Sequence, residues 1–251
     1  MRRIVPSFLL AGLFAFALPA QAGDLTIASK VTTPRGTGRE QTQYVSASRL
    51  RLTDGERDTI VDLASGKVVL LDTRRKEYSE TSLAEVRAFL DQIDAAMAGR
   101  TVFDKSVGST ASVTVTKVES GGRTIAGHKT EQYTLSMGDF MKYDVWVAPD
   151  LSRPTQYFDA RKAVYATMGP MARRYDRIFE EMKKIKGFPL ASASDSRMRV
   201  GRRQVTIEAT DVRTGTITDS VFVVPSDYKK VESPFGAGRT PPPPPPSPSP
   251  R

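Results

Sequence analysis

A period-two alternation of apolar and polar residues recurs through most of this chain and limits its fold more than any other feature. Leu50 and Leu52 alternate with Arg49 and Arg51, and Val113 and Val115 with Thr114 and Thr116. Tyr133, Leu135 and Met137 follow the same rule, as do Tyr143, Val145 and Val147, and then Val205, Ile207 and Ala209. Each run presents one apolar and one wet face, the mark of a half-buried strand. Turn signals lie between the runs at Asp54-Gly55, Ser65-Gly66, Ser120-Gly121-Gly122 and Thr214-Gly215, so successive strands are expected to pair antiparallel. The clearest hairpin runs from Thr59 through Ser65-Gly66 to Thr73, and Glu77 to Ser79 is expected to extend it as a meander.

Two segments switch to helical spacing. A capping box, Ser82 to Glu85, opens the first, which aligns Leu83, Val86, Phe89, Leu90, Ile93 and Met97 before Gly99. The second begins near Pro170, aligns Met171, Tyr175, Ile178, Phe179, Met182 and Ile185, and stops at Gly187. An apolar helix stripe must be laid on something, and the apolar face of the strands is the only large candidate. The expected fold is therefore α+β: an antiparallel sheet with helices covering one side.

Residues 1–22 read as a secretory signal peptide. Arg2 and Arg3 precede an uncharged apolar run from Ile4 to Leu18, and Ala20-Gln21-Ala22 supplies the small-x-small cleavage pattern before Gly23. A span needs about twenty apolar residues, so the shorter run between Pro6 and Pro19 favours cleavage over anchorage. The chain holds no cysteine, hence no disulfide, thiolate or lipidated junction residue, and a soluble periplasmic protein is expected. Residues 23–235 form one expected domain. From residue 236 to 251 the chain is dominated by proline, including Pro241 to Pro246, and an extended, disordered tail is expected. The formal charge is +9, and losing Arg2 and Arg3 lowers it to +7. Outside the cytoplasm that charge argues against nucleic acid and toward anionic envelope lipids or plain solubility, and no four basic residues are adjacent.

Catalytic patterns are sparse. His128 is the only histidine, no Gly-x-Ser-x-Gly elbow accompanies it, and no calcium loop, phosphate-cradling glycine loop or zinc spacing occurs, so neither metal, cofactor nor enzymatic activity is expected. Asp58, Asp62, Asp72, Asp139 and Asp144 lie singly on or beside strands, where turns or wet faces account for them. Soft apolar material is more conspicuous. Met97, Met171 and Met182 sit on the helix faces, where methionine suits either an irregular core or a pocket for variable apolar chains. Trp146 lies on the strand face opposite Val145 and Val147, and the pattern leaves open whether it is a surface, core or site ring.

Three stretches carry a resemblance: the hairpin from Thr59 to Glu80, with its Lys76-Glu77-Tyr78 end; Ile125 to Tyr133, where an Ile-x-Gly turn feeds a strand; and Tyr143 to Asp150, which ends in Trp-Val-x-Pro. They resemble a family of exported bacterial proteins known as a domain of unknown function. Their order is also similar to the architecture of the outer-membrane lipoprotein carrier LolA, the receptor LolB and the sensor RseB. The resemblance implies a curved, incomplete antiparallel barrel whose concave face is covered by helices and can take acyl chains. It brings no catalytic residues. The function expected is non-catalytic binding of a hydrophobic or amphipathic ligand, a lipid or lipoprotein acyl chain, with Phe89, Leu90, Ile93, Met97, Trp146, Met171, Phe179 and Met182 as candidate pocket residues. The alternative is an envelope interaction or structural protein using its basic surface and proline-rich tail.

Overall fold

The computed structural model describes residues 23–34, 36, 38–97, 112–138, 141–168, 173–198 and 201–235. The expected signal peptide, the proline-rich tail, Met171 and Asp139 lie outside the described residues. Six strands open the chain: β1 (Leu25–Thr32), β2 (Arg39–Val45), β3 (Arg49–Thr53), β4 (Arg57–Asp62), β5 (Lys67–Asp72) and β6 (Glu77–Ser82). Helix α1 (Leu83–Met97) follows, then β7 (Thr114–Val118), β8 (Thr124–Ile125), β9 (His128–Lys129), β10 (Glu131–Met137) and β11 (Met141–Ala148). After α2 (Tyr157–Ala166) and α3 (Arg173–Met182) come β12 (Phe188–Met198), β13 (Gly201–Thr214) and β14 (Lys229–Lys230).

Twelve of these strands join one open sheet in the order β14-β6-β5-β4-β3-β2-β1-β13-β12-β11-β10-β7. Every pairing is antiparallel except β14 with β6. Aspartates at strand ends set three of the hairpins. The carboxylate of Asp54 accepts from the amides of Glu56 and Arg57, that of Asp62 from Ala64 and Ser65, and that of Asp72 from Arg74 and Arg75. Each carboxylate offers the turn amides acceptors that the ladder cannot supply, and so ends its strand. The expected hairpin and meander from Thr59 onward are β4, β5 and β6. The small β8–β9 hairpin turns through Ala126 and Gly127, both at positive φ, the geometry whose twist matches the flanking strands.

The apolar positions of the alternating runs share one face. Leu25, Ile27, Val45, Leu50, Val61 and Val68 meet Leu135, Val145 and Val147 across the sheet, with Phe158, Ile178 and Phe179 of the helices completing one continuous core. A single core shared by both halves of an open sheet requires it to curve around the helices. Two bulges assist, because an extra residue on one strand sharpens local twist: the register slips between Ala28 and Ser29 against β13, and between Trp146 and Val147 against β12.

The capping box forms as the sequence indicates. The amide of Glu85 donates to Ser82 Oγ at 3.1 Å, and the amide of Ser82 donates to Glu85 Oε2 at 2.8 Å. That backbone hydrogen bond, with the Thr81 and Ser82 hydroxyls, holds the Glu85 carboxyl below its usual range. Helix α2 was not evident in the sequence, because its stripe is interrupted by the charged Asp159, Arg161 and Lys162 and mixes aromatic with small residues. Beyond the end of α3, the Arg153 guanidinium donates to the carbonyls of Lys183, Ile185 and Gly187 and so satisfies oxygens of the turn that leads into β12.

The last described segment wraps the β6 edge. A 3-10 turn at Asp219–Phe222 lies against β3, Phe222, Val224 and Tyr228 cover Ile60, Val69 and Leu71 on the convex face, and Phe235 reaches α1, edge-on to Phe89 at 5.4 Å. Between them β14 adds to β6, where Glu80 binds both Lys230 and Lys67.

Two measurements check this description. Gly187 has φ +108, and a Cβ there would lie 2.4 Å from the Ala148 carbonyl oxygen. Gly187→Ala is therefore expected to cost about 2 kcal/mol or more in urea unfolding. The hydrogen bonds from Lys230 and Lys67 hold the Glu80 carboxyl below its usual range. A depressed folded value means that its contribution is present above the unfolded value and lost as pH falls through the folded one. Glu80→Gln should therefore narrow the loss of stability between pH 7 and pH 3 relative to the parent protein, measured by urea midpoints.

Candidate functional site

The concave face is not uniformly apolar. On β12 the inward positions are Ser192, Ser194 and Ser196, and on β2 they include Gln41 and Gln43. Strands β1 and β13 contribute Val31 and Ile207 beside them. Small or polar side chains at these positions leave space where the rest of the sheet is filled by leucine, isoleucine and valine. A cavity of about 320 Å³ results.

Its sheet wall is Val31, Gln41 and Leu52 on one side and Met141, Tyr143, Ser194, Val205 and Ile207 on the other. Its helical wall is Arg161 and Tyr165 of α2, Tyr175 of α3, and Met168 just beyond α2. Met168 is 62% exposed and marks the mouth with the ion pair of Arg39 and Asp54, 3.1 Å long. A much smaller cavity, about 30 Å³, lies deeper among Tyr157, Phe158, Phe179 and Met182; Tyr143, Arg161, Ser192 and Ile207 border both. Rings Tyr143, Tyr165, Tyr175 and Phe179 contact one another at centroid distances of 4.7 to 6.2 Å, a stiff aromatic wall of low conformational entropy.

Arg161 stands where the cavities meet and is only 6% exposed. One of its terminal nitrogens donates to Gln43 Oε1 at 3.1 Å, and the other to the Tyr165 hydroxyl at 3.1 Å. Gln43 Oε1 also accepts from the Tyr157 hydroxyl, at 3.1 Å. The guanidinium lies over the rings of Tyr165 and Phe179, at 5.0 and 5.9 Å. Among the described residues no carboxylate pairs with it, and its Nε is buried without a hydrogen-bond partner. Gln41 Nε2, on the wall of the larger cavity, is a second buried donor without a partner. Burial pushes the Tyr143 and Tyr157 phenols up, so both stay protonated and neutral. Burial opposes the charge on Arg161, but a guanidinium is too weak an acid to give up its proton there. The site therefore holds a permanent positive charge, uncompensated among the described residues, at the inner end of a largely apolar cavity.

The candidate pocket residues separate into groups. Phe179 and Met182 border the deeper cavity. Phe89 and Leu90 pack with Val86 and Phe235 in a satellite core between α1 and the C-terminal strap, and Ile93 is half-buried on the same helix. Met97 ends α1, with its side chain outside the described set, and Met171 lies outside it altogether. Trp146 is on the convex side, donating to the Gly121 carbonyl at 3.0 Å beneath the Arg123 guanidinium. Sequence reasoning did not find Arg161, Tyr165, Gln41, Gln43 or the serine row. The signals were present: Tyr157, Arg161 and Tyr165 repeat at four-residue spacing, and Gln41-x-Gln43 and Ser192-x-Ser194-x-Ser196 at two.

Two other features of the sequence take their places away from the cavity. His128 Nδ1 meets Asp150 Oδ2 at 2.8 Å in an exposed contact at the small hairpin. The basic turn Arg74-Arg75-Lys76 is met by carboxylates, Arg74 by Glu56, Arg75 by Asp72 and Glu77, and Lys76 by Asp227. Among the described residues no helix is long and apolar enough to cross a membrane.

No curated protein matches the sequence. Among solved structures, the chain is similar to an uncharacterized conserved protein from Thermus thermophilus, at 7% identity and a TM-score of 0.44, covering 84% of this chain and 91% of that one. It is also similar to a chain of the Pseudomonas aeruginosa MucA/MucB complex, at 12% identity and a TM-score of 0.46, covering 83% of this chain but only 58% of that one. A LolA superfamily protein from Nitrosomonas europaea matches at 10% identity and a TM-score of 0.29, covering 82% of this chain and 91% of that one. A family model matches residues 27–228, from the first strand to the convex strap, and the chain belongs to that family, the domain of unknown function DUF4412.

Proposed function

We propose that this protein is an exported, periplasmic binding protein that takes an amphipathic ligand, a lipid or the acyl part of a lipoprotein, without chemical conversion. The observation that carries this reading is the cavity of about 320 Å³ between the concave face and helices α2 and α3. It falls within the range of small-molecule pockets, about 300 to 1,000 Å³. Its composition suits the same role: aromatic and aliphatic walls with a few convergent polar groups, opening beside the exposed thioether of Met168. Methionine at a mouth can adapt to apolar chains of different shape. Phe179 and Met182 line the deeper end in this reading, while Phe89 and Leu90 support α1 from behind.

Native mass spectrometry and lipid extraction of protein taken from the periplasm without detergent test the proposal. A stoichiometric amphiphile that co-purifies supports it. A clean apo mass, still apo after incubation with envelope lipids, rejects it. Ser194→Phe places a ring inside the larger cavity from a strand position whose backbone it need not disturb. That variant is expected to fold, by circular dichroism, and to lose at least about tenfold in ligand affinity.

A further inference from the structure

We propose that the ligand is a single-chain amphiphile with a monoanionic carboxylate head, held head-inward against Arg161 with its chain running toward Met168. The inference rests on the binding reading above and names its ligand class. Three observations converge on it. First, a guanidinium that is 6% exposed faces both cavities, and among the described residues no carboxylate neutralises it. Arginine cannot shed its charge in a protein, and a buried unpaired ion is costly, so a compensating anion is the natural complement. Second, two buried donors on this site, Arg161 Nε and Gln41 Nε2, have no acceptor. Buried polar groups are nearly always hydrogen-bonded, and a carboxylate offers two acceptor oxygens. Third, among the described residues that line the cavity the remaining cation, Arg39, is already paired with Asp54 at the mouth. One uncompensated positive charge matches one negative charge. A dianionic phosphate would bring a second charge with no partner.

The orientation follows from the walls. The unpaired guanidinium of Arg161 stands at the inner end, whereas away from the deep cavity the larger one is lined by Leu52, Val205 and Met168, the uncharged Gln41, Ser194 and Ser196, and the mutually paired Arg39 and Asp54. A head bound at the mouth would leave the buried donors unmet and drive the chain past them.

The test compares dodecanoate with dodecan-1-ol, equal in chain length and different in charge, by calorimetric titration of the delipidated exported protein at pH 7.5. The acid is expected to bind at least about tenfold more tightly, as hydrogen bonds to a buried ion require. In Arg161→Gln the ratio of the two affinities should fall to about one, and Arg161→Lys should retain part of the preference. Should Arg161→Gln fail to fold, the comparison in the parent protein still decides, joined by Gln41→Leu, which should weaken the acid more than the alcohol. Equal affinities in the parent protein overturn the carboxylate assignment while leaving the cavity reading in place. A preference that survives in Arg161→Gln overturns it too, because the anion then binds elsewhere. If neither amphiphile binds, the single-chain carboxylate assignment falls, while the binding reading is decided separately by the native mass spectrometry of protein incubated with envelope lipids.

Discussion

The pairing of β1 with β13 holds the whole arrangement together. Five of the first six strands are joined to their sequence predecessor by short turns, and the later strands pair largely in local hairpins as well. Only the ladder from Leu25 opposite Thr214 to Thr32 opposite Thr206 joins the two halves into a single sheet. Without it there would be two meanders, each with an apolar face too large for the helices it could recruit alone. With it, the concave faces are continuous, and α2 and α3 can lie across the seam. The loop closed by this contact spans nearly the whole domain. Its entropic cost grows only slowly with length, so it is tolerable for the apolar area that it brings together.

The same seam explains why the cavity lies where it does. Strands β1, β2, β12 and β13 meet there, and the residues facing inward include Ser29, Gln41, Gln43, Ser192 and Ser194 as well as Val31 and Ile207. Elsewhere the concave face is closed by large aliphatic side chains. A row of serines withdraws volume from the packing, and glutamines bring dipoles into a space that the aromatic rings of α2 and α3 roof over. Arg161 is then retained in a setting that would usually exclude it, tethered by Gln43 and Tyr165 and lying over two rings. Cation–π contact and two neutral acceptors moderate the cost of a buried charge but supply no countercharge. That imbalance sets this cavity apart from an ordinary packing defect, which would be apolar and dry.

The convex side obeys a different logic. A sheet face exposed to water is normally polar, and Arg49, Arg51 and Asp58 are what alternation leaves outward on β3 and β4. Yet Asp58 is buried, because the C-terminal strap folds over it: Arg51 binds Asp58 and the Val221 carbonyl, and Arg49 lies over the Phe222 ring. The strap then protects the β6 edge through β14, which removes a row of open backbone groups that could template aggregation.

Local information was sufficient for much of this. Period-two runs gave β3, β10, β11 and the inner face of β13, because a strand's side chains alternate whatever it pairs with. The Ser82–Glu85 capping box located the start of α1, because both of its hydrogen bonds close within one turn. Asp54-Gly55 and Ser65-Gly66 marked hairpins for the same reason. By contrast, β7, before Ser120-Gly121-Gly122, pairs with β10 past the small β8–β9 hairpin, and Thr214-Gly215 leads from β13 into the strap and not into a strand paired with it. Helix α2 escaped because its inward face carries Arg161 and two tyrosines, residues whose burial is decided by partners more than a hundred positions away in β2. The methionine-rich helix faces pointed to apolar lining, but α1 spends its stripe on Phe235, a contact no periodicity announces. The sequence by itself determined β3 to β7, β10, β11 and β13, two helices and the antiparallel hairpins at Asp54-Gly55 and Ser65-Gly66, since these depend on neighbours within a few residues. Only the tertiary structure decided which strands meet at the seam, where volume is left unfilled and which charge is stranded beside it, because those follow from side chains brought together across the length of the chain.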